Sequence, residues 1–185
     1  AVTAIFQNPR RSLDPLMTVG QQVCESIAAR EQHKEVDVRI DHKAQRLEAI
    51  QWLNRVQMVD PNRVFDSYPH ELSGGMCQRA MIAVALACKP AVLVADEPTT
   101  GLDATVRAQI VHLLQRLIED EQCAMLYITH DIREMLYLAD RVIVMRHGHV
   151  LEQVTTDELK DKPNERHTYT RTLLEAAGMI GGDDE

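Results

Sequence analysis

Two short runs, "AVLVA" at 91–95 and "AMLYI" at 124–128, are apolar without alternation, and each ends directly on polar groups, "DEP" and "THD". A strand with one wet face alternates; an unbroken apolar run of strand length predicts burial on both faces, as in a parallel sheet flanked by helices. Between the two lies "ATVRAQIVHLLQRLIED", apolar at helical spacing, and "DIREMLYLA" follows as another helix. "AVTAIF" at the start predicts a further strand, and "RVIVMRHGHVLEQV" two strands about a turn. Strands alternating with helices predict an α/β fold with right-handed crossovers.

The stretch between the first strand and "AVLVA" has a different character. "QNPRRSLDP", with Pro9 and Pro15, reads as a loop. From Thr18 to about Val59 the patterns are helical, with Ile40, Leu47, Ile50, Leu53 and Val56 as the expected buried stripe, and Pro61 and Pro69 then interrupt. This predicts a helical subdomain over 13–88, inserted in an α/β core built from 1–12 and 89–154. A tail over 155–185 carries two short helices and a frayed "GGDDE".

Charge and composition narrow the function classes. A net charge of −8 opposes binding to phosphate backbones, and no apolar stretch is long enough to span a bilayer. Cys24, Cys77, Cys88 and Cys123 lie too far apart for a metal-binding pattern and read as reduced thiols. His147 and His149 flank Gly148, which fits a hairpin turn better than a metal site, so no ligand is assigned there. The chain opens on Ala1 with a strand already under way and no signal-peptide pattern, which predicts a start inside a domain.

Three stretches carry chemistry. In "ELSGGMCQRAMIAVAL", Ser73 is a good N-cap, and Gly74 and Gly75 follow at the first turn, where backbone N–H groups lack partners. Glycines there let an anion approach the positive end of the helix dipole, which reads as a phosphate site; the alternative is a plain serine-capped helix. In "AVLVADEPTTGLD", Asp96 and Glu97 stand at the carboxyl end of a strand, where α/β sheets bind ligands. Asp96 suits Mg²⁺ as a hard oxygen ligand and Glu97 suits activation of a water; the alternative is a solvated acidic turn before Pro98. His130, after the second apolar run, is placed to donate a hydrogen bond to a transferring phosphoryl oxygen, against the alternative of a surface or capping histidine.

"LSGGM", "VLVADEP", "TGLD" and "ITHD", in that order, resemble the signature, Walker B, D-loop and switch-histidine motifs of the ATP-binding-cassette (ABC) ATPases, and "IFQNPRRSLDP" resembles their glutamine loop. The resemblance implies a P-loop NTPase fold with a RecA-like parallel-sheet core and a helical insert, with ATP and Mg²⁺ as cofactors. It implies that Gln7 contacts Mg²⁺ and water and senses a membrane partner, and that Ser73, Gly74 and Gly75 bind the γ-phosphate held by an opposing subunit. Asp96 is then the Mg²⁺ ligand, Glu97 the general base, Asp103 a residue of the dimer interface and His130 the switch histidine.

Within the family, "FQNPRRSLDP", "TTGLDATVRAQI" and "HTYTRTLLEAA" are most similar to ATPase subunits of bacterial peptide and nickel importers. That implies a peripheral protein at the cytoplasmic face of the inner membrane. Its partners would be a second ATPase subunit placed head to tail, transmembrane permease subunits and, indirectly, an extracytoplasmic solute-binding protein, with no nucleic acid. Two residues depart from the family pattern: Met76 stands where glutamine is commonest and Cys77 where arginine is usual.

No G-x-x-x-x-G-K-[ST] pattern and no Gly-Lys dipeptide occurs in the 185 residues. The resemblance places that phosphate-cradling loop upstream of Gln7, so the chain is expected to hold half of a catalytic site and to hydrolyse ATP barely, if at all, by itself. The alternative is a docking module that binds no nucleotide.

Overall fold

The computed structural model describes residues 1–32 and 41–180; Ile40 and the "GGDDE" tail lie outside them. The chain divides into two compact units, 1–128 and 129–185.

The first unit is built on a three-stranded sheet. Strands β1 (Val2–Ile5), β2 (Val92–Asp96) and β3 (Ala124–Ile128) lie in that order, all parallel, with Ile5 opposite Ala95 and Asp96 opposite Ile128. Parallel neighbours place all three carboxyl ends at one edge of the sheet. Helix α6 (Ala104–Glu121) makes the crossover from β2 to β3.

Between β1 and β2 run α1 (Pro9–Ser12), α2 (Val19–Gln32), α3 (His42–Arg55), α4 (Pro61–Asp66), a 3-10 turn (Pro69–Glu71) and α5 (Gly74–Ala87). α1 was expected to be loop. Asn8 caps it, accepting the Arg11 amide, and Pro9 sits at its first position, where a missing N–H costs nothing. Pro61 and Pro69 likewise start new helical turns rather than only ending old ones. The buried stripe of α3 is Ala49, Trp52, Leu53 and Val56; Leu47, expected on it, lies on the opposite face and is 61% exposed. The core gathers Leu53, Val56, Ile82, Leu86, Leu93, Ile110, Leu114 and Leu117, and Thr3 Oγ1 ties β1 to α5 through the Ala85 carbonyl at 3.0 Å.

The two apolar runs are strands, but only one face of their sheet is buried. Ile5, Leu93 and Ala95 are sealed, whereas Val2 and Leu126 on the other face are 67% and 53% exposed. Among the described residues of this unit, the helices cover one side of the sheet, so an unbroken apolar run here marks a strand whose second face is open.

The second unit holds α7 (Ile132–Leu138), the antiparallel pair β4 (Arg141–Arg146) and β5 (His149–Thr155), then α8 (Thr156–Asp161) and α9 (Thr168–Ala176). Leu136, Val142, Val154, Leu159 and Leu174 form its own small core. His147 (φ +50°) and Gly148 (φ +79°) make the hairpin turn, since two-residue hairpin loops favour left-handed backbone.

Candidate functional site at the carboxyl edge of the sheet

Gln7 leaves the carboxyl end of β1 two residues beyond Ile5, and Asp96 and Glu97 close β2 beside it. The parallel pairing of β1 with β2 brings them together although 90 residues separate Gln7 from Glu97: Gln7 Nε2 donates to Glu97 Oε2 at 3.0 Å. Glu97 has φ +44°, a left-handed conformation that a non-glycine residue adopts at a cost of about 1–3 kcal/mol and that clusters at functional sites. Its amide still donates to the Ile128 carbonyl at 2.9 Å, so the turn stays anchored to β3 while the carboxylate is thrown clear of the strand.

Thr100, which no sequence motif singled out, donates its hydroxyl to the same Glu97 Oε2 at 2.9 Å. Two donors on one carboxylate oxygen fix the side chain's direction. The signal was available as the second threonine of "PTTG", yet only the tight turn, with the Thr100 amide bonded to the Glu97 carbonyl at 3.2 Å, brings it back onto the acid.

Asp96 is exposed at the end of β2. With Gln7 donating through Nε2, the amide oxygen of Gln7 is left for a cation. Carboxylate and amide oxygens are the donors that Mg²⁺ takes, usually one or two from protein and the rest from phosphates and water. Among the described residues there is no cluster of three or more His, Cys, Asp or Glu that could hold a metal.

The second group of candidate residues forms around two helix starts. Ser73 caps α5, its hydroxyl accepting the Met76 amide at 3.3 Å. Asp103 caps α6, one carboxylate oxygen accepting the Thr105 and Val106 amides at 3.1 and 3.0 Å. The two glycines differ in their reasons. A Cβ on Gly75 would stand 3.0 Å from Val106 Cγ1, so this glycine lets the first turns of α5 and α6 pack together; a Cβ on Gly74 would meet nothing within 4 Å, so its bare backbone faces open space. Gly74 is thus the position where the missing side chain leaves room for an approaching anion.

Below that turn, Cys77 is fully buried, its thiol donating to the Pro69 carbonyl at 3.3 Å, and Met76 packs at the edge of the core. The two departures from the family pattern therefore line the underside of the turn and leave its amides unaltered. All four cysteines are free, and burial pushes their thiols above the usual range, which makes them poor nucleophiles. His130 belongs to the second unit, exposed two residues beyond β3 and just before Asp131, which caps α7.

Comparison with known proteins gives this constellation a family. The chain is 42% identical over 180 residues to the glutathione import ATP-binding protein GsiA of Salmonella choleraesuis (strain SC-B67), a match that takes in 97% of this chain and 27% of the relative. The protein of the same name from Escherichia coli (strain K12) is 42% identical over 177 residues, covering 96% and 27%. The chain thus spans about a quarter of the length of these relatives. Among solved structures, the dimeric post-hydrolysis state of the ATP-binding cassette MJ0796 bound to ADP and Pi superposes with a TM-score of 0.70 at 28% identity, over 84% of this chain and 62% of that one. A second dimeric structure of MJ0796, described as a bacterial ABC transporter cassette, gives 0.67 over 82% and 62%. The fold is accordingly the α/β fold of P-loop NTPases. The family model described as ABC transporter matches residues 1–100, more than half of the chain, and the chain belongs to that family.

Proposed function

We propose that this chain is the working half of an ABC importer's ATPase subunit, supplying the residues that activate water and close over ATP held by a second subunit. The observation that carries the reading is the convergence of Gln7 and Thr100 on Glu97 at the carboxyl edge of the sheet. A carboxylate thrown out of a strand by a left-handed turn and aimed by two donors is built to work on something outside the sheet.

Each residue then has a task. Glu97 accepts the proton of the attacking water, with Thr100 and Gln7 holding its carboxylate in direction. Asp96 and the Gln7 amide oxygen hold Mg²⁺, which supplies charge neutralisation at the β- and γ-phosphate oxygens when bound. Gly74 and the N–H groups of the α5 start receive the γ-phosphate of the opposing subunit's ATP, Asp103 lies at that subunit interface, and His130 donates to a phosphoryl oxygen. Residues 1–12 and 89–154 form the α/β core of this organisation, 13–88 the helical subdomain and 155–185 the tail.

The assembly proposed is a head-to-tail pair of ATPase subunits docked on transmembrane permease subunits near Gln7 and the helical subdomain, peripheral at the cytoplasmic face of the cell membrane and served by a solute-binding protein outside. The dimeric cassettes among the structural relatives support the pairing. The names of the relatives support import, and glutathione, a tripeptide, favours a small peptide over nickel as the solute class. Among the described residues no helix is long and apolar enough to cross a membrane.

The test extends the chain at its start with the phosphate-cradling segment that the resemblance calls for, and measures ATP turnover. His130→Ala and Gly74→Val are each expected to lower turnover by about two orders of magnitude with the fold intact, the scale of losing one transition-state donor. Undiminished turnover in Gly74→Val would overturn the phosphate role of the α5 start, and in His130→Ala that of the histidine.

A further inference from the structure

Glu134 is the one buried charged side chain among the described residues, 6% exposed in the first turn of α7. A carboxylate is expensive to bury and persists only where hydrogen bonds hold it, so its partner indicates what it is there to fix. One such partner is Thr129, whose Oγ1 donates to Glu134 Oε2 at 3.3 Å. The same Thr129 oxygen accepts the Asp131 amide at 2.9 Å. Asp131 in turn uses Oδ1 to accept the Arg133 amide at 2.9 Å and the Glu134 amide at 3.4 Å.

The chain of bonds runs from the buried acid to one neighbour of His130, from that neighbour to the other, and from there back to the helix that carries the acid. His130 lies between two members of a closed loop of bonds through Thr129, Asp131 and Glu134. A capped helix alone would need only Asp131, so the Thr129 hydroxyl and the buried carboxylate are additional to the cap. A strand-to-helix turn with this many constraints gives its exposed residue a fixed backbone direction, which a group that must meet a ligand without reorganising requires.

We propose that Thr129 and Glu134 are positioning residues for His130: the buried carboxylate orients the Thr129 hydroxyl, which holds the Asp131 amide and so fixes the peptide that follows the histidine. The proposal rests on the reading of His130 as a phosphate-contacting residue for its purpose, while the clamp itself is a property of this chain. Neither Thr129 nor Glu134 touches the ligand; both act through the histidine.

The experiment uses the whole chain, without nucleotide. Amide hydrogen exchange is followed at Asp131 and across β4 and β5, together with the ¹⁵N imidazole signals of His130, in the parent, Thr129→Val and Thr129→Ser. Valine keeps the shape and removes the hydroxyl; serine keeps the hydroxyl. Thr129→Val is expected to speed exchange at Asp131 by about tenfold or more and to shift the His130 signals, with the β4–β5 amides unchanged, and Thr129→Ser to restore the parent pattern. Glu134→Gln, which keeps an acceptor, is expected to fall between the two. Unchanged exchange at Asp131 in Thr129→Val, or equal acceleration throughout β4 and β5, would overturn the clamp. The readout needs no ATP, so it fails only if the clamp fails, and the phosphate role of His130 stands or falls on the His130→Ala turnover.

Discussion

At the scale of single residues, the two glycines of the α5 start can be told apart by what an added methyl would meet. Gly74→Ala places a Cβ in open space and gains helix propensity, so it is expected to raise stability by up to about 1 kcal/mol. Gly75→Ala drives a Cβ to 3.0 Å from Val106 Cγ1, whose branched side chain is held in the first turn of α6, and is expected to gain less or to destabilise. Urea unfolding of the two variants reads the order directly, and a Gly75→Ala protein as stable as Gly74→Ala would show that the α5–α6 contact yields freely. The motif "LSGG" made this turn legible in the sequence as a capped helix open to an anion. It could not separate the roles of the two glycines, because Val106 reaches Gly75 only after the chain has passed through β2. Thr100 escaped for the same kind of reason: a threonine in a turn has no periodicity, and its bond to Glu97 exists only through the left-handed backbone of the acid itself.

Among elements, α2 is fastened to α4 by a close approach and to α3 by an ion pair. Gly20, in the first turn of α2, lies under the Phe65 ring, and a Cβ there would come within 2.3–2.5 Å of three ring carbons. Gly20→Ala is therefore expected to cost about 1–3 kcal/mol by chemical denaturation, since the ring, itself 7% exposed, has little room to retreat. A variant as stable as the parent would mean that α4 can shift as a unit.

Arg30 of α2 grips both oxygens of Glu48 on α3, at 2.7 and 3.0 Å, and this bond holds the Glu48 carboxyl below its usual range. A depressed folded-state value contributes stability that is complete above the ordinary carboxyl pKa of about 4.3 and is lost as pH falls through the lower folded value. The stability gap between the parent and Glu48→Gln is expected to be present at pH 6 and to shrink at pH 3; a gap that persisted unchanged would remove the ion pair as its cause.

The sequence patterns located α2, α3, α5 and α6 because each has an apolar stripe or a good cap, and they mistook the phase of α3 by counting Leu47 and passing over the small Ala49. The one-turn α1 was missed because Pro9 reads as a breaker until Asn8 is seen capping it. The apolar runs of β2 and β3 identified the strands and their parallel pairing, but hydropathy alone does not distinguish a face that is covered from one that is open.

For the molecule as a whole, that open face sets its behaviour in solution. Val2, Phe6, Leu126 and Ile128 are between 45% and 67% exposed, and β1 and β3 are the outer strands of the first unit's sheet, with no further strand paired to them among the described residues. Exposed apolar strands with free edges recruit further strands or one another. The chain alone is expected to self-associate at micromolar concentration, and Leu126→Lys to reduce this in sedimentation velocity with little change in thermal stability. Equal association of the two proteins would place the sticky surface elsewhere.

In the function proposed above, Glu97, aimed by Gln7 and Thr100, activates the water in an ATP site completed by a second subunit. The most direct test is turnover of Glu97→Gln against the parent, both extended with the phosphate-cradling segment, alongside equilibrium ATP binding. The expected result is a loss of about 10²–10⁴-fold in turnover with ATP binding retained, since glutamine preserves the shape and removes the base. Unchanged turnover in Glu97→Gln would contradict it.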